Sequence, residues 1–219
     1  MTKTVRQIFF EGIGTFILVL SIVGSGIMAT NLTRDDAVAL LINASAIVAT
    51  LFVLITVLAK FSGAYFNPAV VLYALIRKKM SIELGIYLIL AQLIGAFLGA
   101  VVANFTFGEP AISISGNDRF SFETFVAEII ATAGLIFIIS KKKKFLPEAS
   151  IAAVISLWIF GAIFFTSSTA FANPAVSFAR VFSDSFTGIS PISALWFVGA
   201  EIIAVVLVYF LNIATKLKR

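Results

Sequence analysis

Apolar stretches of bilayer-crossing length dominate this chain and leave room for little else. They run over residues 8–29, 38–59, 82–105, 122–140, 149–167 and 191–214. A crossing helix needs about 20 consecutive apolar residues, so the pattern predicts six membrane-spanning helices joined by short loops. With 60% of its residues apolar and only 12% charged, the chain has more apolar surface than a water-soluble fold can bury. A soluble catalytic domain does not fit beside such a bundle. The first stretch lacks a small-residue cleavage site after a short apolar core, which predicts a retained first helix rather than a signal peptide.

Two further apolar stretches follow Asn67 and Asn173, each about ten residues long and too short to cross. Short, proline-interrupted helices at corresponding places in two halves of a membrane protein point to re-entrant segments that meet near the midplane. Irregular backbone at that depth is tolerated only where protein buries it or a wet pore solvates it. The halves also match in sequence. Glu11 opens EGIGTFILVL and Glu128 opens EIIATAGLIF, FNPAV at 66–70 is echoed by ANPAV at 172–176, and AQLIGAFLGA by VGAEIIAVVL. Each half reads as helix, helix, half-helix, helix. The expectation is one channel domain over 1–219, with repeat one at about 1–110 and repeat two at about 111–219. Three spans per half invert the second repeat relative to the first.

The net charge of +5 would suggest nucleic acid in a soluble protein. Here the basic residues sit between apolar stretches, where they set orientation, and no nucleic-acid partner is expected. An N-terminus inside places Lys3, Arg6, Lys60, Arg77, Lys78, Lys79, Lys141 to Lys144, Lys216, Lys218 and Arg219 on the cytoplasmic side, and Arg34, Arg119 and Arg180 outside. That asymmetry predicts an even number of crossings with both termini cytoplasmic, in a multi-pass protein of a bacterial inner membrane.

The chain has no Cys and no His, so thiol chemistry, His-ligated metal and His general bases are all out of reach. No set of nucleophile, base and oxyanion donor can be assembled. The reading is therefore a non-enzyme without cofactor or metal.

Two Asn-Pro-Ala motifs in a six-span inverted repeat resemble the aquaporin and glycerol-facilitator family, also called the major intrinsic proteins, over essentially the whole chain. The fold implied is an all-α membrane protein of six transmembrane helices plus two re-entrant half-helices. Tyr65 stands where that family commonly has His. The resemblance also implies a homotetramer in a lipid bilayer and small neutral solutes as partners. The motif has a physical rationale of its own. Pro68 and Pro174 give up an N–H that a helix start leaves unsatisfied, and Asn67 and Asn173 cap the half-helices, with Ala69 and Ala175 following. Two helix N-termini face to face put partial positive charge at the membrane centre, which in aquaporin-type pores excludes protons and cations.

The outer filter of the family takes an Arg straight after the second motif; here that residue is Val176. Counting without gaps puts the other filter positions at Ile47, Gly161 and Ala170, an apolar ring of small residues. The segment ANPAVSFARVFSDSFTGI resembles bacterial aquaporins associated with arsenic resistance. The function implied is a passive channel for water and polyols or metalloid hydroxides such as arsenite. The alternatives are a strict water channel, an ion-coupled secondary transporter, or a non-conducting member of the family.

Arg180 lies one helical turn beyond Val176. Two readings stay open: a guard of the outer mouth, or an i,i+4 surface pair with Asp184. Glu11 and Glu128, inside predicted spans, are expected to accept backbone N–H bonds from the re-entrant loops rather than relay protons. Gly95 and Gly99 are expected to form a close helix contact. Phe171 beside Asn173 is a candidate to narrow the pore.

Overall fold

The computed structural model describes the backbone of residues 1–145, 147 and 150–215, and the side chains of the same residues except 142–145. Lys216, Lys218 and Arg219 of the basic count, residue 149 at the head of the fifth apolar stretch and the side chains of Lys142 to Lys144 lie outside that description. The described residues form helices α1 (Lys3–Leu32), α2 (Asp36–Ser62), α3 (Pro68–Ile76), α4 (Ile82–Thr106), α5 (Phe122–Phe145), α6 (Ile151–Phe165), α7 (Pro174–Ala179) and α8 (Pro191–Ala214). A 3-10 turn, Arg180–Phe182, continues α7.

Local chemistry accounts for the boundaries. Asp35 accepts from the N–H groups of Ala37 and Val38 at the start of α2, and Ser81 and Ser190 cap α4 and α8. Each cap satisfies a donor that a helix start leaves open. Gly63 ends α2 at a φ of 99°, a left-handed conformation that glycine adopts without steric cost.

Among the described residues, five helices are long and apolar enough to cross a membrane. The exception to the sequence expectation is α6, which has 15 residues and rises about 22 Å against a hydrocarbon core of about 30 Å. Its helix stops at Phe165 and the chain turns into an irregular segment leading to Asn173, so part of the fifth apolar stretch belongs to a re-entrant loop instead of a helix.

The halves pack alike. α1 lies on α4 as α5 lies on α8, and each short helix rests on the last helix of both halves, α3 on α4 and α8, and α7 on α8 and α4. The α1–α4 contact is close because glycines permit it. A Cβ on Gly95 would stand 2.2 Å from Gly12 O and one on Gly99 2.5 Å from Phe16 O. Gly14 is likewise filled by the ring of Phe66, so the first re-entrant loop is seated directly on α1.

Candidate channel site

Both re-entrant loops share an unusual backbone. Ala64 and Phe66 have φ of 50° and 46°, and their counterparts Ala170 and Ala172 have 49° and 47°. Left-handed conformations cost roughly 1–2 kcal/mol per non-glycine residue, so something must hold the loops in place. Buried carboxylates do. Glu11 accepts from the N–H groups of Tyr65 (2.9 Å) and Phe66 (2.7 Å) and from Gln92 Nε2 (2.8 Å). Glu128 accepts from the N–H groups of Phe171 and Ala172, both at 2.8 Å. These bonds occupy the carboxylates with loop backbone.

Past the loops, Asn67 Oδ1 accepts from Ala69 N–H (2.8 Å) and Asn173 Oδ1 from Ala175 N–H (3.0 Å), capping α3 and α7 with Pro68 and Pro174 in the first turn. The amides also cross between halves. Asn67 Nδ2 donates to Ala172 O at 2.7 Å and Asn173 Nδ2 to Phe66 O at 2.8 Å. Each acceptor is the left-handed residue just before the opposite Asn, which explains the strained turn: it aims that carbonyl across the pseudo-twofold axis. One N–H of each amide is thereby committed to the scaffold, leaving the second for a solute.

Both asparagines face one cavity of about 290 Å³. Three of the four expected constriction residues, Ile47, Ala170 and Val176, line it; Gly161 does not. α6 presents Ile155, Ile159 and Ile163 instead, spaced one turn apart on one face. Gly161, two residues from both Ile159 and Ile163, projects to the other side. Cavity-lining Ala64, Tyr65, Ala170 and Phe171 have carbonyls that accept no hydrogen bond among the described residues. Buried carbonyls need partners, and those of Ala170 and Phe171 are open to whatever fills the cavity.

Arg180 is buried and does not pair with Asp184, whose Oδ1 accepts from Gly116 N–H at 3.3 Å. The ion-pair reading is thus corrected: α7 tightens into the 3-10 turn at Arg180, and the guanidinium folds back over Phe171, 3.5 Å from its ring centroid, with Nε donating to Thr187 O. Phe171 supports this cation and packs edge-on against Phe197, 5.0 Å away.

Sequence reasoning missed two participants. Glu201 is fully buried and accepts from Asn173 N–H and Ser177 Oγ, both at 2.9 Å. Its signal was faint: Ala-Glu at 200–201 matches Ala-Gln at 91–92 only when the repeats are shifted by three residues from the register of the two Asn-Pro-Ala motifs. Arg119, from the loop between α4 and α5, also lines the cavity. Nothing local distinguished it from an ordinary exposed loop cation. Its neighbour Asp118 is engaged elsewhere: the Ser193 hydroxyl (2.5 Å) and Phe120 N–H hold its carboxyl below the ordinary range.

The family model described as major intrinsic protein matches residues 1–207. The chain belongs to the major intrinsic proteins. As a member of that family it is a multi-pass membrane channel of the aquaporin type and not an enzyme. It is similar to the aquaglyceroporin AqpS of Rhizobium meliloti, with 42% identity over 92% of this chain and 86% of that one. It is also similar to the probable aquaporin TIP2-2 of Oryza sativa, 36% identical over 58% of this chain and 52% of that one. Among solved structures it resembles the aquaglyceroporin from Plasmodium falciparum, with a TM-score of 0.70 and 24% identity over 94% of this chain and 95% of that one. That likeness speaks for the fold alone.

Proposed function

We propose that this major intrinsic protein is a passive channel for water and small uncharged solutes with an apolar outer constriction, and that polyols or metalloid hydroxides such as arsenite pass along with water. The observation that carries the reading is the single cavity holding Asn67 and Asn173 and lined otherwise mostly by Ile, Leu, Val and Ala. With Val176 where the family's filter Arg would stand, the cavity wall there has neither the bulk nor the charge that confines passage to water. A solute rich in hydroxyls can donate to the open carbonyls of the loops and accept from the two asparagine amides.

Cation exclusion falls to the facing helix ends and to Arg180 at the outer rim. A relative named as an aquaglyceroporin supports passage of solutes larger than water. Resemblance to bacterial aquaporins associated with arsenic resistance supports arsenite. Both termini are assigned to the cytoplasm by the distribution of Lys and Arg, the membrane to the bacterial plasma membrane, and the assembly to a homotetramer.

Stopped-flow measurements on liposomes holding the purified protein test the reading. Water, glycerol and arsenite are each expected to enter faster than into empty liposomes. Water flux without glycerol or arsenite flux refutes the wide constriction. Solute entry abolished by collapsing ion gradients supports a coupled transporter instead.

A further inference from the structure

Three consecutive backbone carbonyls hold two arginines at the outer rim of the cavity. Phe186 O and Gly188 O accept from Arg119 Nη2 and Nε, each at 2.7 Å, and Thr187 O accepts from Arg180 Nε. The arginines come from distant parts of the chain, the loop after α4 and the turn after α7, yet both guanidinium groups address one ring. Arg180 lies 3.5 Å and Arg119 5.8 Å from the centroid of Phe171.

Neither guanidinium forms an ion pair among the described residues. No acid nearby contacts either guanidinium directly, although Glu128 attracts Arg180 through space. Asp118 is bound to Ser193 and Phe120, Asp184 accepts from Gly116, and Glu128 holds the N–H groups of Phe171 and Ala172. Asp36 also lines the cavity, but it is exposed at the first turn of α2, where water and salt screen it. Two cations sharing one ring repel each other, so a device meant only to staple the loop would be better built with a neutral donor. The carbonyl row consumes Nε of each arginine and one Nη of Arg119, and the remaining N–H groups are left for whatever occupies the rim.

We propose that Arg119 is a specificity-determining residue of this channel: with Arg180 it makes a two-guanidinium rim that refuses cations and donates hydrogen bonds to neutral hydroxylated or amide solutes. It supplies from a loop the guanidinium that Val176 does not. The proposal rests on the channel reading above.

Urea and guanidinium are planar, of nearly the same size, and differ in charge, so the ratio of their permeabilities isolates the electrostatic contribution. Arg119→Gln in liposomes is expected to raise the guanidinium-to-urea ratio about tenfold, the scale of one unit charge acting over several ångströms in a partly screened site. Arg119→Lys is expected to keep the ratio low. Because the chain has no cysteine, Arg119→Cys provides a sole thiol whose charge can be set on the folded protein. A cationic thiosulfonate reagent should restore exclusion and an anionic one should raise the ratio further. A ratio that stays at the wild-type value in Arg119→Gln, or that ignores the sign of the reagent, overturns the proposal while leaving the channel reading intact. Wild-type liposomes that pass no urea, glycerol or other neutral solute overturn the channel reading itself, and the rim with it.

Discussion

Removing the carboxylates beneath the re-entrant loops should damage the two repeats unequally, and the hydrogen bonds set the order. Glu128→Ala strips acceptors from two buried N–H groups, those of Phe171 and Ala172. Each buried donor left unsatisfied costs about 1–3 kcal/mol, so the loss is about 2–6 kcal/mol. Glu11→Ala strips two buried donors, Phe66 N–H and the amide of Gln92, for about 2–6 kcal/mol by the same rule, and in addition the half-buried N–H of Tyr65. A second asymmetry acts in the same direction. Each loop has a spare buried acceptor near at hand, Glu201 Oε2 beside Glu128 and Gln92 Oε1 beside Glu11, but the former is a carboxylate oxygen and the latter a weaker amide oxygen. Against a net stability of about 5–15 kcal/mol for a typical domain, both losses are large. Thermal unfolding in detergent, followed by circular dichroism, should rank wild type above Glu128→Ala and Glu128→Ala above Glu11→Ala, with glycerol flux falling in the same order. Glu11→Ala within about 0.5 kcal/mol of wild type, the range of an ordinary surface change, would falsify the assignment of the carboxylates as loop anchors.

Other changes test separate parts of the molecule. Val176→Arg places bulk and charge in the cavity wall and is expected to cut glycerol entry at least about tenfold while water still passes, as read by stopped-flow light scattering; equal glycerol flux in the variant counts against Val176 as a constriction residue. Arg180→Ala removes one buried rim cation, and planar-bilayer recordings should show a larger cation leak, whereas unchanged conductance assigns exclusion to Arg119 and the helix ends. Gly95→Ala drives a Cβ toward Gly12 O, backbone that cannot step aside, and should cost at least the 1–3 kcal/mol typical of overpacking. Gly199→Ala on α8, whose Cβ would meet nothing within 4 Å, should instead stabilise by about 0.5–1 kcal/mol through helix propensity. Equal melting temperatures for the two glycine variants would contradict the close α1–α4 contact.

The chain by itself determined the membrane architecture, the likeness of its two halves and the paired asparagines, because these rest on local properties. Apolar length selects spanning helices, Pro after Asn starts a short helix, and repeated Glu positions mark loop anchors. Helix register across the bundle was less legible. Gly161 was expected at the constriction by counting back from Asn173, but α6 ends at Phe165 and turns Ile159 and Ile163 inward. The rim was legible least of all. Arg180 read equally well as a partner of Asp184 or as a guard, and Arg119 as a plain loop cation, until residues 186–188 brought both to Phe171. Only tertiary structure decided those contacts, since which carbonyl meets which guanidinium depends on the loop before α5 folding against the loop before α8, and no periodicity or spacing encodes that meeting.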